Sequence, residues 1–343
     1  MSHTPRVRAK GPADLLALVP GLIGFHPEES VVLLTVGPAP QPFHARVDLP
    51  GDPVEVEGLA RHLTDVATRN GVTRMACVLY TGDTGLAEAF GAELDRRLSS
   101  ASVQLVCVVR ADGERWWPVG DGRPDRPSSG DVDDPGTPYD VSAHPLMAQT
   151  VLDGTPVLAS RQELADTLVG TEPEQLARVA TLGEEVISRL AVSFQAPVGP
   201  GSRHHLGLEG RWVRHRVCRF LQDGRGLDEH DVARLAVLIS ASVEVRDVAW
   251  AEMDHDNARL HVDLWRHVVR QVPVHVRAAP AALLGFAAWL SGDGALAWCA
   301  VECAHAAEPD YRLATLLSDV LVGAVPPSVW QPFPREELAL FAP

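Results

Sequence analysis

One change of hydrophobic period constrains this chain more than any other feature. Up to about residue 120, extended apolar segments alternate with helical stripes; helical stripes return near Ala143 and then dominate, with no credible strand from about residue 200. Two such regimes bury different kinds of face. The chain is therefore expected to form an α/β part, with a mixed, partly parallel sheet and flanking helices, followed by an all-helical part.

In the first regime Ser30–Val36 is a continuous β-branched run, and Phe43–Leu49 alternates like a half-buried strand. The turn-rich link between them predicts a hairpin. Glu55–Arg69 places Leu59, Leu63 and Val66 on one helical face. Arg74–Tyr80 reads as a buried strand, Thr84–Leu98 as a helix and Gln104–Arg110 as a strand that turns into Glu114–Val119. Strand–helix–strand passes imply parallel pairing, and a hairpin at each end makes the sheet mixed. Pro118–Pro138 is rich in Gly, Pro, Asp and Ser and reads as a loop. The expected divisions are an α/β domain over 1–120, a flexible acidic insert over 121–140, connecting helices packed on the α/β domain over 141–200, and a helical domain over 201–343.

Composition narrows the function classes. The 343 residues carry a formal net charge of −15, which argues against nucleic acid, since neutralising phosphates takes clustered Lys and Arg. Five cysteines in no disulfide-like framework point to a reducing, cytoplasmic setting. The N-terminus lacks the apolar core of a signal peptide, and the longest apolar stretch, Pro280–Leu290, is too short to span a bilayer. A protein partner or self-association is expected; a membrane is not.

Four residues near strand ends stand out as candidate ligand-binding groups: His26 as a base or donor, Ser30 as a hydroxyl, and Arg46 with Asp48 as an anion clamp and a carboxylate. Residues two apart on a strand share a face, so Arg46 and Asp48 also suit a plain ion pair. Ser30 lacks the Gly-x-Ser-x-Gly elbow of a hydrolase nucleophile. In Tyr80–Thr84 the lysine of a phosphate loop is missing, and Asp83 or Thr84 is read as a helix cap. Asp256, Asp263 and His267 fall on one helical face but match no strong metal motif, and Cys299 and Cys303 read as packing in a helix seam. No catalytic residue, metal site or cofactor is assigned.

Residues 281–314 partly fit a tetratricopeptide pattern: a helix to Ser291, a Gly292-Asp293 turn and a second helix to Glu308. Ala281 and Ala288 stand where the pattern has aromatics, and no second copy is evident.

Several ordered strings carry a resemblance. Ala13-Asp14-Leu15-Leu16-Ala17, Val19-Pro20, Gly24-Phe25-His26-Pro27 and Ser30-Val31-Val32 open the chain. Arg46-Val47-Asp48-Leu49-Pro50, Arg115-Trp116-Trp117, Arg246-Asp247, Leu264-Trp265, Ala288-Trp289 with Gly292-Asp293-Gly294, and Asp310-Tyr311 follow. Over nearly its whole length the chain resembles an actinobacterial family known as domain of unknown function 4192. Many relatives carry a cysteine-rich stretch after the Arg-Trp-Trp motif; here that stretch reads PVGDGRPDRPSSG, so the resemblance implies no cysteine-based metal or redox role. The leading expectation is a non-enzymatic module binding a protein or small ligand in regulation or assembly. The alternative is an enzyme or nucleotide/anion binder using a cleft at the strand ends.

Overall fold

In the computed structural model the apolar run after Glu29 is a strand buried on both faces. The structure describes residues 9, 11–39, 43–120, 135–142, 144–145, 147, 157–170, 172–194, 200–224, 226–334 and 338. They form two compact units, Met1–Arg161 and Gln162–Pro343.

The first unit opens with helix α1 (Pro12–Ile23), which has Pro12 in its first turn and closes at Gly24 (φ 82°), whose N–H donates to the Pro20 carbonyl at 2.9 Å. Strand β1 (Ser30–Thr35) pairs antiparallel with β2 (His44–Asp48). Helix α2 (Pro53–Arg69) is capped by the Asp52 carboxylate on the Val54 N–H, and leads to β3 (Arg74–Tyr80), antiparallel to β1. Helix α3 (Thr84–Ser100) carries the chain to β4 (Gln104–Ala111), parallel to β3. A tight turn gives β5 (Arg115–Pro118), and the two-residue β6 (Thr137–Pro138) adds to its edge. The sheet order is β2-β1-β3-β4-β5-β6, mixed as expected, with a hairpin on each side of one parallel pair.

Alternation along the strands sorts the core into two layers. Val31, Leu33, Cys77 and Leu79 face α2 and α3, against Leu63, Phe90, Leu94 and Leu98. Val32, Leu34, Val78, Tyr80 and Ala111 face the other way, under Leu16 and Val19 of α1. Full burial of one such large side chain contributes roughly 1.5–3 kcal/mol of transfer free energy. A short parallel bridge pairs Phe25 with Leu158: the His26 N–H donates to the Leu158 carbonyl (3.0 Å) and the Leu158 N–H to the Gly24 carbonyl (2.9 Å).

Two features depart from the sequence reading. Helix α1 is not among the elements that the sequence reading names, and it holds Pro20 within its length. The segment read as a loop to Pro138 ends in β6, where Arg115 Nη1 holds the Pro135 carbonyl at 2.7 Å; residues 121–134 of that segment lie outside the described residues.

The second unit is helical throughout its described residues: α4 (Arg161–Asp166, beginning one residue before the division), α5 (Pro173–Phe194), α6 (Pro200–Asp223), α7 (Glu229–Ala241), α8 (Val243–Trp250), α9 (Ala258–Gln271), α10 (Ala278–Leu290), α11 (Gly294–Ala307) and α12 (Arg312–Val322). Helix α5 packs on α7 within this unit. Helix α10 is central: all thirteen of its residues are buried, against α7, α9, α11 and α12. At Gly285 a Cβ would lie 2.8 Å from Leu317, so this glycine permits the close approach of α12.

The helical hairpin expected over 281–308 is present as α10, a turn at Gly292 (φ 86°) and α11, which Asp293 caps through the Leu296 N–H. Its tetratricopeptide character is not established. A first helix buried at every position leaves no face of its own to line an open groove.

Candidate functional site

The carboxyl ends of a parallel strand pair leave a gap, because the chain must depart from both strands in the same direction. Here β3 ends at Tyr80 and β4 at Ala111, and the Thr81 N–H still donates to the Ala111 carbonyl at 2.9 Å. Beyond that tie the two chains diverge. Gly82 leads to Asp83, whose carboxylate caps α3 on the Leu86 N–H at 2.9 Å, as the sequence implied. Asp112-Gly113 turns β4 into β5: Gly113 adopts φ 103°, and the Asp112 carboxylate accepts the Glu114 and Arg115 N–H groups at 2.9 and 2.8 Å.

Two further segments complete a cleft of about 660 Å³. One is the approach to β1, with His26, Glu28 and Glu29. The other is Tyr139–Ser142, anchored by the Tyr139 N–H on the Glu114 carbonyl at 3.0 Å. Leu16 and Pro20 of α1 contribute an apolar wall. An adjoining cleft of about 550 Å³ shares Tyr139, Asp140 and Val141, and contains the Asp14–His144 pair at 3.1 Å.

Local geometry fixes the polar groups. Glu29 sits at φ 37°, a left-handed conformation that a non-glycine residue adopts at a cost of about 1 kcal/mol or more. It is held there by its carbonyl, which accepts the Leu49 N–H at 2.9 Å, and by its carboxylate, which accepts the Thr81 hydroxyl at 2.9 Å. Asp140 accepts the Ser142 hydroxyl and N–H at 2.6 and 2.8 Å, and these bonds hold its carboxyl below the ordinary range. Burial pushes the Tyr80 phenol well up, with the neighbouring Tyr139 adding to it; burial and Asp112 raise Tyr139. Both phenols are neutral near pH 7. The Tyr80 hydroxyl is buried and has no hydrogen-bond partner among the described residues.

The four residues singled out in the sequence are distributed unequally. His26 lines the cleft. Arg46 and Asp48 form an ion pair at 2.7 Å, with Asp48 largely exposed and the Arg46 guanidinium 5.8 Å from the Phe25 ring centre; neither lines the cleft. Ser30 is fully buried beside Asp48 and Tyr80 in the sheet, and its hydroxyl also lacks a partner among the described residues. Tyr80, Thr81, Asp112 and Tyr139 reach the site through the crossover and the β5–β6 edge. A strand end followed by Thr-Gly-Asp is the one local signal that pointed toward them.

In the helical unit, Asp228, His230 and Asp231 are the one group of described residues that brings three potential metal-ligand atoms within 4.8 Å of one another. Asp228 is the N-cap of α7, accepting the Asp231 N–H at 2.7 Å, and Asp231 pairs with Arg216 at 3.1 Å, so the fold employs both. His267 Nε2 lies 3.2 Å from the Leu227 carbonyl. Cys303 sits in α11, where burial pushes its thiol up and away from reactivity.

No curated protein and no solved structure matches the chain. A family model does match, over residues 12–328, from the start of α1 to beyond α12. The chain therefore belongs to the family described as Domain of unknown function (DUF4192).

Proposed function

We propose that this protein is a small-molecule-binding module whose ligand occupies the cleft at the carboxyl ends of β3 and β4. The observation that carries the reading is the cleft's construction: segments near residues 26–29, 80–82, 111–114 and 139–142 converge on about 660 Å³, a volume suited to a small ligand. Binding is favoured over catalysis because the aliphatic hydroxyls on its lining, Thr81 and Ser142, are engaged with Glu29 and Asp140. Those bonds position loops and leave no activated nucleophile in view.

A thermal-shift panel on the full chain tests this, using anionic, neutral and cationic small molecules. One class should raise the melting temperature, since a ligand at 100 times its Kd stabilises by about 2.7 kcal/mol. Gly82 is at the cleft, and a Cβ there meets nothing within 4 Å, so Gly82→Trp is a tolerated blocker that should abolish the shift. A panel with no response, or a shift that persists in Gly82→Trp, overturns the reading.

A further inference from the structure

Resting on the cleft reading, we propose that the ligand is an organic cation, an amine or guanidinium group carried on a short apolar body. Five acidic residues line the cleft, Glu28, Glu29, Asp112, Glu114 and Asp140, and His26 is the one basic residue among them. No Arg or Lys contributes to the lining. The nearby arginines lie outside the lining and are engaged by the fold: Arg46 pairs with Asp48 and donates to the Glu28 carbonyl at 3.4 Å, and Arg110 donates to the Thr81 carbonyl at 3.5 Å with its guanidinium 3.7 Å from the centre of the Trp117 ring. A phosphate or carboxylate ligand would meet five acidic residues against one histidine on the lining itself.

A buried hydroxyl supplies the second observation. Tyr80 lines the cleft, is 6% exposed, and its hydroxyl has no hydrogen-bond partner among the described residues. An unsatisfied buried hydroxyl costs the fold about 1–3 kcal/mol, so its retention in a cleft points to a partner that arrives with the ligand. An ammonium or guanidinium N–H donates to a phenol oxygen, and tyrosine rings such as those of Tyr80 and Tyr139 attract cations.

The arrangement separates an organic cation from a metal ion. A divalent ion needs several oxygens converging within a few ångströms. Among the described residues the cleft carboxylates bring no three ligand atoms within 4.8 Å of one another. The same cleft is lined by the apolar residues Leu16 and Pro20. Acidic residues together with an apolar wall fit a cation with a hydrocarbon body, and the chain's net charge of −15 adds long-range attraction.

Calorimetric titration of the full chain at low salt, with agmatine and 1,4-diaminobutane as probes and butyrate and 1,4-butanediol as controls, tests the proposal. The amines should bind, weaken with added salt, and be lost in Gly82→Trp. Glu28→Gln and Glu114→Gln should each weaken binding about two- to fivefold. Tyr80→Phe should weaken it about two- to tenfold while leaving the unliganded melting temperature unchanged or higher, a combination that a merely structural tyrosine would not give. If butyrate or the diol binds as well as the amines and Gly82→Trp removes that binding, the cation inference fails and the cleft reading survives. If amine binding ignores Gly82→Trp, both fail. If amine binding is absent, or if it is indifferent to the carboxamide variants and to Tyr80→Phe, the cation inference fails, and the anionic and neutral arms of the thermal-shift panel then decide the cleft reading separately.

Discussion

The α/β unit is built around a sheet and the helical unit around a helix, and the two centres close differently. Strand β3 is buried at six of its seven positions, but a strand stops being covered where its hydrogen-bond ladder stops. At that end four chain segments must be fitted around polar turns, and a cleft remains. Helix α10 satisfies its backbone internally along its length, and its thirteen buried residues are surrounded by other helices. Its end at Leu290 is sealed by a three-residue turn and the next helix. Helical closure leaves a packed interior; sheet closure leaves polar loops at one rim. Ligand chemistry is therefore expected at the sheet's end.

The sharpest way to break this contrast is to remove one large side chain from each centre. Trp265→Ala in α9, where the indole is fully buried, should cost the helical unit about 3–5 kcal/mol, and Phe90→Ala should cost the α/β unit a similar amount. Hydrogen exchange should lose protection mainly in the unit that carries each change. Equal loss in both units under either substitution would show that the two centres are not separate cores.

Acid should distinguish the units next. Burial lowers His261, in α9, from 6.5 to about 4, so the folded unit keeps it neutral while the unfolded chain takes up a proton below 6.5. The stabilisation is therefore present above pH 6.5 and lost as pH falls toward 4, by about 3 kcal/mol from this side chain. In the α/β unit, hydrogen bonds from Arg96 and Arg97 lower Glu93 from 4.5 to about 2, which places its loss below pH 4.5. His44 is lowered by burial in the same sense as His261 but stands on edge strand β2 with an exposed position, so its share is the smaller. Between pH 6.5 and 4.5 calorimetry should show the helical unit weakening first, and His261→Gln should flatten that dependence. An unchanged pH profile in the variant would remove His261 from the account.

Glycine substitutions give the smallest effects and the clearest signs. Gly285→Ala places a methyl group 2.8 Å from Leu317 and 3.3 Å from the Ala297 carbonyl, and should cost about 1–3 kcal/mol. Gly58→Ala, within α2 with nothing in the way of a Cβ, should gain about 0.5–1 kcal/mol through helix propensity. Denaturant midpoints moving in the same direction for both would contradict the packing described for α10 and α12.

The parts of the fold that were legible from the residues are those with long, uninterrupted periods. Arg74–Tyr80 has the same limits in the sequence reading and the structure, because no Gly or Pro interrupts its apolar run. Helix α1 holds a proline within its length, and β6 is too short to leave a pattern. For the site, the shared face of Arg46 and Asp48 was readable from strand alternation, and the pair forms at 2.7 Å. What no local pattern holds is the meeting of Glu29 with Thr81, or of Tyr80 with Tyr139. Those approaches are made by strand order and by a crossover, and only tertiary packing brings them about.

The bridge between Phe25 and Leu158 has a mechanical consequence. Leu158 lies three residues before Arg161, where the α/β unit gives way to the next, and its carbonyl holds the backbone of His26. Two peptide hydrogen bonds therefore fasten the backbone beside His26, a residue of the cleft, to a stretch near the far end of the same unit.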